Sequence, residues 1–141
     1  MKPHRLRLIN LALPGFLLLA LTEARAQVRL TELLVVNDTG LRDQTGVPQP
    51  WIEIWNPSQA GPVNLANYRF VHGASTWLFP AVQIMVDEYI VVFVSGLDRK
   101  EATAPLHTNF MLSGSGGSLI LQNSSGTTVS RFDYPALPPN T

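Results

Sequence analysis

A short strand that ends at a proline constrains the fold of this chain more than any other feature. The strand alternates with a period of two, so Ile52 and Ile54 share one face. Trp51, Glu53 and Trp55 lie on the opposite face. Because β-branched and aromatic residues favour a pleated, half-buried surface, the pattern predicts a sheet strand whose inner face carries the two isoleucines.

The residues after this strand predict a turn and a second strand. Pro57 has no N–H to donate to a ladder, so the strand ends at Asn56-Pro57. Residues 58–62 are rich in turn formers, and Val63-Asn-Leu65 resumes the alternation. We therefore expect residues 51–65 to form a hairpin with a longer loop.

Short alternating segments separated by turn signals fill the rest of the chain. We expect about eight mostly antiparallel strands, among them an apolar strand at 89–94 that is central and covered on both faces. No amphipathic helical pattern occurs after residue 26. Regularly spaced short strands are typical of an all-β sandwich.

The amino-terminal residues predict export. Three basic residues precede an apolar run at 8–21, and Ala24-Arg-Ala26 has the small-x-small pattern of a signal-peptide cleavage site. We expect cleavage after residue 26 and a secreted domain at 27–135, followed by a tail or linker at 136–141. A retained anchor is the alternative, but the run is shorter than the roughly 20 residues of a membrane span.

Charge and cysteine content limit the function. Removal of residues 1–26 takes away four basic residues and one acidic residue from the ten of each kind, which leaves a formal charge of −3. This charge argues against nucleic acid, whose binding needs a basic surface. The chain has no cysteine, so the exported domain must be stable without disulfides.

Three tryptophans could contact a ligand. Trp51 and Trp55, on the same strand face as Glu53, and the separate Trp77 could stack on sugar rings. The alternative for Trp51 and Trp55 is that they cover one face of a sheet or pack beneath a loop, as large aromatic residues usually do.

A polar loop between the first two strands could hold calcium. Asn37, Asp38 and Asp43 are oxygen donors of the kind that Ca²⁺ binds. Their spacing matches no EF-hand loop, a second carboxylate cluster is missing, and the alternative is a solvated loop held by Asx-turns. We therefore expect no cofactor.

Candidate catalytic residues are sparse. His107 lies in the long irregular segment 97–113 and is a candidate general base or ligand contact. No nucleophile elbow or phosphate-binding loop occurs, and the two isolated histidines after residue 26 do not make a zinc site. The alternative for His107 is a ring that hydrogen-bonds to its own loop, and we expect a protein that is not an enzyme.

The ordered series of motifs resembles the lamin-tail domain, in its secreted bacterial branch. The series comprises Glu32-Leu33, Trp51-Ile-Glu-Ile-Trp-Asn-Pro57, Val63-Asn-Leu65, Tyr68, Phe79-Pro80, Tyr89-Ile-Val-Val-Phe-Val-Ser-Gly96, Leu106-His-Thr-Asn-Phe110, Leu112-Ser113 and Gly117-Ser-Leu-Ile-Leu121. The resemblance implies an immunoglobulin-like β-sandwich that serves as an interaction surface and has no catalytic residues. Two positions depart from the family pattern: Pro50 replaces an acidic residue, and Asp87-Glu88 replaces a Gly-Gly turn.

These observations lead to one expectation and two alternatives. We expect a secreted module, periplasmic, extracellular or at the cell surface, that tethers a protein or cell-envelope partner. The first alternative is a carbohydrate-binding module that takes a polysaccharide. The second is an accessory domain of a larger secreted hydrolase or nuclease.

Overall fold

The structure, a computed structural model, describes residues 28–57 and 61–136. The predicted signal peptide at 1–26, residues 58–60 of the predicted turn and residues 137–141 of the predicted tail lie outside this part. Every regular element in it is a strand. In chain order the strands are β1 (Arg29–Leu34), β2 (Trp51–Trp55), β3 (Val63–Asn64), β4 (Arg69–His72), β5 (Ser75–Leu78), β6 (Gln83–Ile84), β7 (Tyr89–Phe93), β8 (Leu106–His107), β9 (Gly117–Gln122) and β10 (Thr128–Tyr134).

Two four-stranded sheets make the sandwich. The first has the order β1-β2-β7-β8 and the second has the order β10-β9-β4-β5, while β3 and β6 form a small separate ladder. The pairs are antiparallel except for β7 and β8, which run parallel. The predicted all-β sandwich is therefore confirmed. Ten strands replace the expected eight or so because β3, β6 and β8 have only two residues each.

One hydrophobic core fills the space between the sheets. Ile52 and Ile54 of β2 are fully buried in it, as their alternation predicted. From the second sheet Phe70 and Trp77 enter the same core, with ring centroids 5.9 Å apart, and Phe79 packs edge-on against both rings. Burial of such large side chains contributes about 1.5–3 kcal/mol each, so this core accounts for much of the stability.

The expected hairpin across residues 51–65 is wrong. Residues Val63 and Asn64 pair with Ile84 and Gln83 and not with β2. The reason is that both edges of β2 are occupied along its whole length, by β1 on one side and by β7 on the other. A two-residue strand cannot displace either of these longer ladders.

The central position of β7 in its sheet was predicted correctly, but the expectation that both of its faces are buried was wrong. It lies between β2 and β8, yet Tyr89 is 51% exposed. One face of β7 therefore reaches the solvent at its first residue. Within the described residues, no helix has the length and apolar character needed to cross a membrane.

Candidate functional site

The outer face of the first sheet carries the candidate site. Cross-strand register places Trp51 opposite Phe93, Glu53 opposite Val91, and Trp55 opposite Tyr89. Because the two isoleucines between these positions of β2 point into the core, the side chains of these six residues point away from it. We call these six residues the aromatic face.

One end of the aromatic face is open to solvent. The rings of Trp55 and Tyr89 are nearly parallel, with centroids 5.9 Å apart and an interplanar angle of 16°. The Trp55 indole Nε1–H donates to Asp87 Oδ1 at 3.1 Å. Next to this pair, Met85 is 51% exposed and Val86 is also exposed. The open end therefore combines two stacked aromatic rings on adjacent strands with two exposed apolar side chains in the turn that precedes β7.

A buried asparagine holds the corner beside this open end. Asn56 Nδ2 donates to the carbonyl oxygens of Gly61 at 2.7 Å, Met85 at 3.0 Å and Ile84 at 3.2 Å. Its backbone N–H donates to the Glu88 carbonyl, and its own carbonyl accepts from the Asp87 N–H. Asn56 thereby fixes the β6–β7 corner against the end of β2 and sets the position of Met85.

Acidic side chains border the open end. Among the described residues, Glu53, Glu32, Asp87 and Glu88 lie on it or next to it, together with the basic Arg29 opposite Trp55. Glu53 Oε1 accepts from the Thr31 hydroxyl at 2.8 Å, where β1 has a bulge. The surface therefore combines an apolar centre with a negative border.

The other end of the aromatic face is covered. Phe93 is almost fully buried although it points outward, and its ring lies 5.2 Å from that of His107 on β8. Gln44, from the loop between β1 and β2, reaches His107 Nε2 with its Oε1 at 3.0 Å. The loop therefore reaches β8 beside the buried Phe93, whereas Tyr89 at the other end is exposed.

The contacts of His107 define its protonation. Gln44 Oε1 can only accept, so Nε2 carries the hydrogen, and Nδ1 accepts from the Ser95 hydroxyl at 2.8 Å. Burial lowers the pKa of His107, and the nearby Arg99 charge adds to the shift, while Asp43 and Glu101 oppose it. His107 is therefore a neutral ring that ties two loops together.

A serine next to a histidine is also the start of a catalytic arrangement. His107 has no exposed surface, and its second nitrogen faces a neutral amide rather than a carboxylate. Ser95 Oγ also accepts the Leu97 N–H at 3.3 Å. The geometry fits a buried structural contact, so direct ligand contact by His107 does not agree with this structure.

Trp77 requires the same correction. It is fully buried in the core between the sheets, so its ring has no face to offer to a ligand. Its Nε1–H donates to Asp98 Oδ1 at 2.9 Å, and Lys100 pairs with the same oxygen at 2.9 Å. The indole is therefore tied to the start of the 97–113 loop through Asp98 and Lys100.

The candidate calcium loop is held by its own side chains. Asn37 Oδ1 accepts the Gly40 N–H, and Asn37 Nδ2 donates to the carbonyls of Leu41 and Gln49. Asp43 Oδ1 accepts from the Thr45 hydroxyl and from the N–H groups of Thr45 and Val47. The oxygens needed for calcium from these two residues are thus already engaged in turns.

These bonds shift the acidity of Asp43. The hydrogen bond from the Thr45 hydroxyl, helped by those from backbone N–H groups, lowers the pKa of Asp43 from 3.8 to about 2 against the opposing effect of burial. Across residues 28–57 and 61–136, no three His, Cys, Asp or Glu side chains are grouped to hold a metal ion.

Four residues of this region were not singled out as site residues from the sequence. Tyr89 joins Trp55 on the open end, Asp87 anchors the indole, and Gln44 and Ser95 hold His107. Only Tyr89 had a usable signal, because it begins an apolar strand with a polar hydroxyl at the outward position.

In comparisons with known proteins, no family model and no curated protein matches this chain.

Proposed function

We propose that this protein is a secreted, non-catalytic interaction module that tethers a protein or cell-envelope partner. The observation that carries the proposal is the open end of the aromatic face, where the stacked rings of Trp55 and Tyr89 lie on strands and the exposed Met85 and Val86 lie in the turn between β6 and β7. Interfaces are enriched in aromatic residues and methionine at their centres, and such anchors supply most of the binding energy.

The border of the open end defines the chemistry of the partner. The carboxylates of Glu32, Glu53, Asp87 and Glu88 attract positive charge, so the proposed partner presents Lys or Arg side chains around an apolar or aromatic centre. Arginine fits best because its guanidinium also stacks on aromatic rings. Nucleic acid and anionic lipid do not fit a surface with this charge.

The export part of the proposal rests on the sequence. Residues 1–26 have the three-part pattern of a signal peptide. The resemblance of residues 28–135 to the secreted lamin-tail domain supports an interaction role and a location in the periplasm, outside the cell or at its surface. The fold of two packed sheets agrees with this resemblance, although one fold serves many functions.

A retention experiment tests the proposal. The chain lacking its predicted signal peptide would be immobilised and exposed to envelope proteins, with Tyr89→Ala as the test variant. Leu78→Ala is the matched control, because Leu78 is similarly exposed but lies on the second sheet. We expect saturable retention that falls at least about tenfold for Tyr89→Ala, as for an interface anchor, and stays unchanged for Leu78→Ala. Equal retention by all three proteins would refute the role of the aromatic face.

A polysaccharide is the second candidate partner. The near-parallel rings of Trp55 and Tyr89 favour it, since aromatic surfaces also stack on sugar rings. A panel of soluble polysaccharides, titrated against tryptophan fluorescence, separates the two proposals. A spectral change that Tyr89→Ala abolishes would favour a carbohydrate-binding module or an accessory domain of a secreted hydrolase or nuclease.

A further inference from the structure

The outer edge of β10 differs from the other long sheet edges. At the edge of β5, Asn109 Nδ2 donates to the Thr76 carbonyl at 3.1 Å. At the edge of β1, the Leu30 N–H donates to the Ser130 hydroxyl at 3.1 Å. Among the described residues, the backbone of 131–134 is bonded only by β9 on its inner side. Because β1 approaches β10 at Ser130, the part of this edge that another strand could reach is the segment after Ser130.

The segment is also regular and self-complementary in charge. After a bulge at its start, β10 keeps an unbroken register from Ser130 to Tyr134. Arg131 and Asp133 point to the outer face of the second sheet, and their side chains are 54% and 63% exposed. They stand one residue before and one residue after Phe132, with opposite charges.

We propose that two copies of this chain associate through their β10 edges, as an antiparallel pair centred on Phe132. In this register Arg131 of each copy faces Asp133 of the other, so two opposite-charge pairs form about one two-fold axis. Centring the pair on Arg131 or on Asp133 would instead place like charges opposite each other. The two second sheets join into one continuous sheet of eight strands.

The pairing competes with a contact inside each copy. Arg131 Nε lies 2.9 Å from both Asp133 oxygens, and one terminal nitrogen lies 2.7 Å from Oδ1. In the pair, each carboxylate keeps this neighbour and gains a second guanidinium across the axis. Because the charges are exposed and the contact is short, we expect a weak association that depends on concentration and weakens with salt.

Variants that reverse the charge at Arg131 or Asp133 test the proposal. Their association is measured by analytical ultracentrifugation of the full chain lacking its predicted signal peptide. We expect the unaltered protein to shift from monomer toward dimer between about 10 μM and about 1 mM, the range of weak complexes. Arg131→Asp alone and Asp133→Arg alone should remain monomeric, because each places like charges across the axis. Mixed in equal amounts, these two variants should form a heterodimer, since every cross-strand pair is then opposite in charge.

The double variant Arg131→Asp with Asp133→Arg should also recover dimerisation. Arg42→Asp, which makes the same charge change in an exposed loop, serves as the control and should behave as the unaltered protein does. Circular dichroism of each variant verifies that it folds. A monomer at all concentrations, as expected if a later segment of the same molecule covers the edge, would overturn the proposal, as would no association in the mixture.

A second measurement uses the unaltered protein and needs no variant. Amides of residues 131–134 that point away from β9 should exchange more slowly with deuterium as protein concentration rises. Exchange that is independent of concentration would contradict the pairing even if another surface made the protein dimeric. The inference is independent of the proposed tethering function, because the β10 edge and the aromatic face belong to different sheets.

Discussion

Gln44 and His107, which are 63 residues apart in the chain, are joined by a hydrogen bond of 3.0 Å over the outer face of the first sheet. This bond fixes the hydrogen of the imidazole on Nε2 and leaves Nδ1 to accept from Ser95. It also holds the loop between β1 and β2 over Phe93. The contact therefore links the loop between β1 and β2 to β8 at the covered end of the aromatic face.

Removal of this amide should destabilise the domain. In Gln44→Ala, the Nε2–H of His107 loses its protein acceptor, and because Gln44 is exposed, water can take its place, so the expected loss is that of one net hydrogen bond, about 0.5–1.5 kcal/mol. Urea unfolding followed by tryptophan fluorescence measures the change in the free energy of unfolding. Gln83→Ala, at an exposed position of β6, is the control and should stay within about 0.5 kcal/mol. Equal effects of the two changes would contradict the contact.

The lowered pKa of His107 predicts a loss of stability in mild acid. In the unfolded chain His107 titrates near 6.5, whereas in the folded protein its pKa is lower because the ring is buried. Between these two pKa values the unfolded state binds more protons, so stability falls as the pH decreases below about 6.5. The free energy of unfolding, measured from pH 7.5 down to pH 5, should decrease as the pH falls. In His107→Gln the slope over the same interval should be reduced.

Asp43 predicts a separate loss of stability at lower pH. Its pKa is about 2 in the folded protein and 3.8 in its ordinary state. Its contribution is therefore present above about pH 4 and is lost as the pH falls toward 2. Thermal unfolding between pH 5 and pH 2 should show this decline. Asp43→Asn should flatten the curve in this window, and an unchanged slope would show that another carboxylate is responsible.

Asn56 should tolerate no acidic replacement. In Asn56→Asp, a carboxylate with no hydrogen to donate would face three carbonyl oxygens in a fully buried position. An uncompensated buried charge destabilises by about 3–5 kcal/mol, so the variant should unfold at a much lower temperature or not fold. Asn109→Asp is the matched control, because Asn109 donates to one carbonyl in an exposed setting. A small change for both variants would contradict the role of Asn56.

The sequence predicted local structure better than strand pairing. The alternation of residues 51–55 placed Ile52 and Ile54 in the core correctly, because burial acts on each strand face independently. The partner of β3 was wrong, since the competition of β1 and β7 for the edges of β2 is not visible in residues 51–65. Proximity in sequence favoured a hairpin between β2 and β3, but β1 and β7 occupy both edges of β2 and exclude it.

The candidate site shows the same limit. Trp51, Glu53 and Trp55 were placed on one face from their spacing, and Trp55 now has Tyr89 beside it. The environment of His107 could not be predicted, because the hydrogen-bond partners of its ring, Gln44 and Ser95, come from two other segments of the chain. Trp77 was named as a possible ligand contact, but the sequence did not show which face of its strand would be buried, and the structure buries it in the core.

The hydrogen bond between Leu30 and Ser130 has a consequence for the order in which the domain is completed. It joins the margins of the two sheets across a separation of 100 residues. A ribosome or a translocation channel delivers the chain from its amino end, so β1 must wait for β10 before the sandwich can close. We therefore expect a chain delivered one end at a time to remain open, and accessible to chaperones or proteases, until residue 130 emerges.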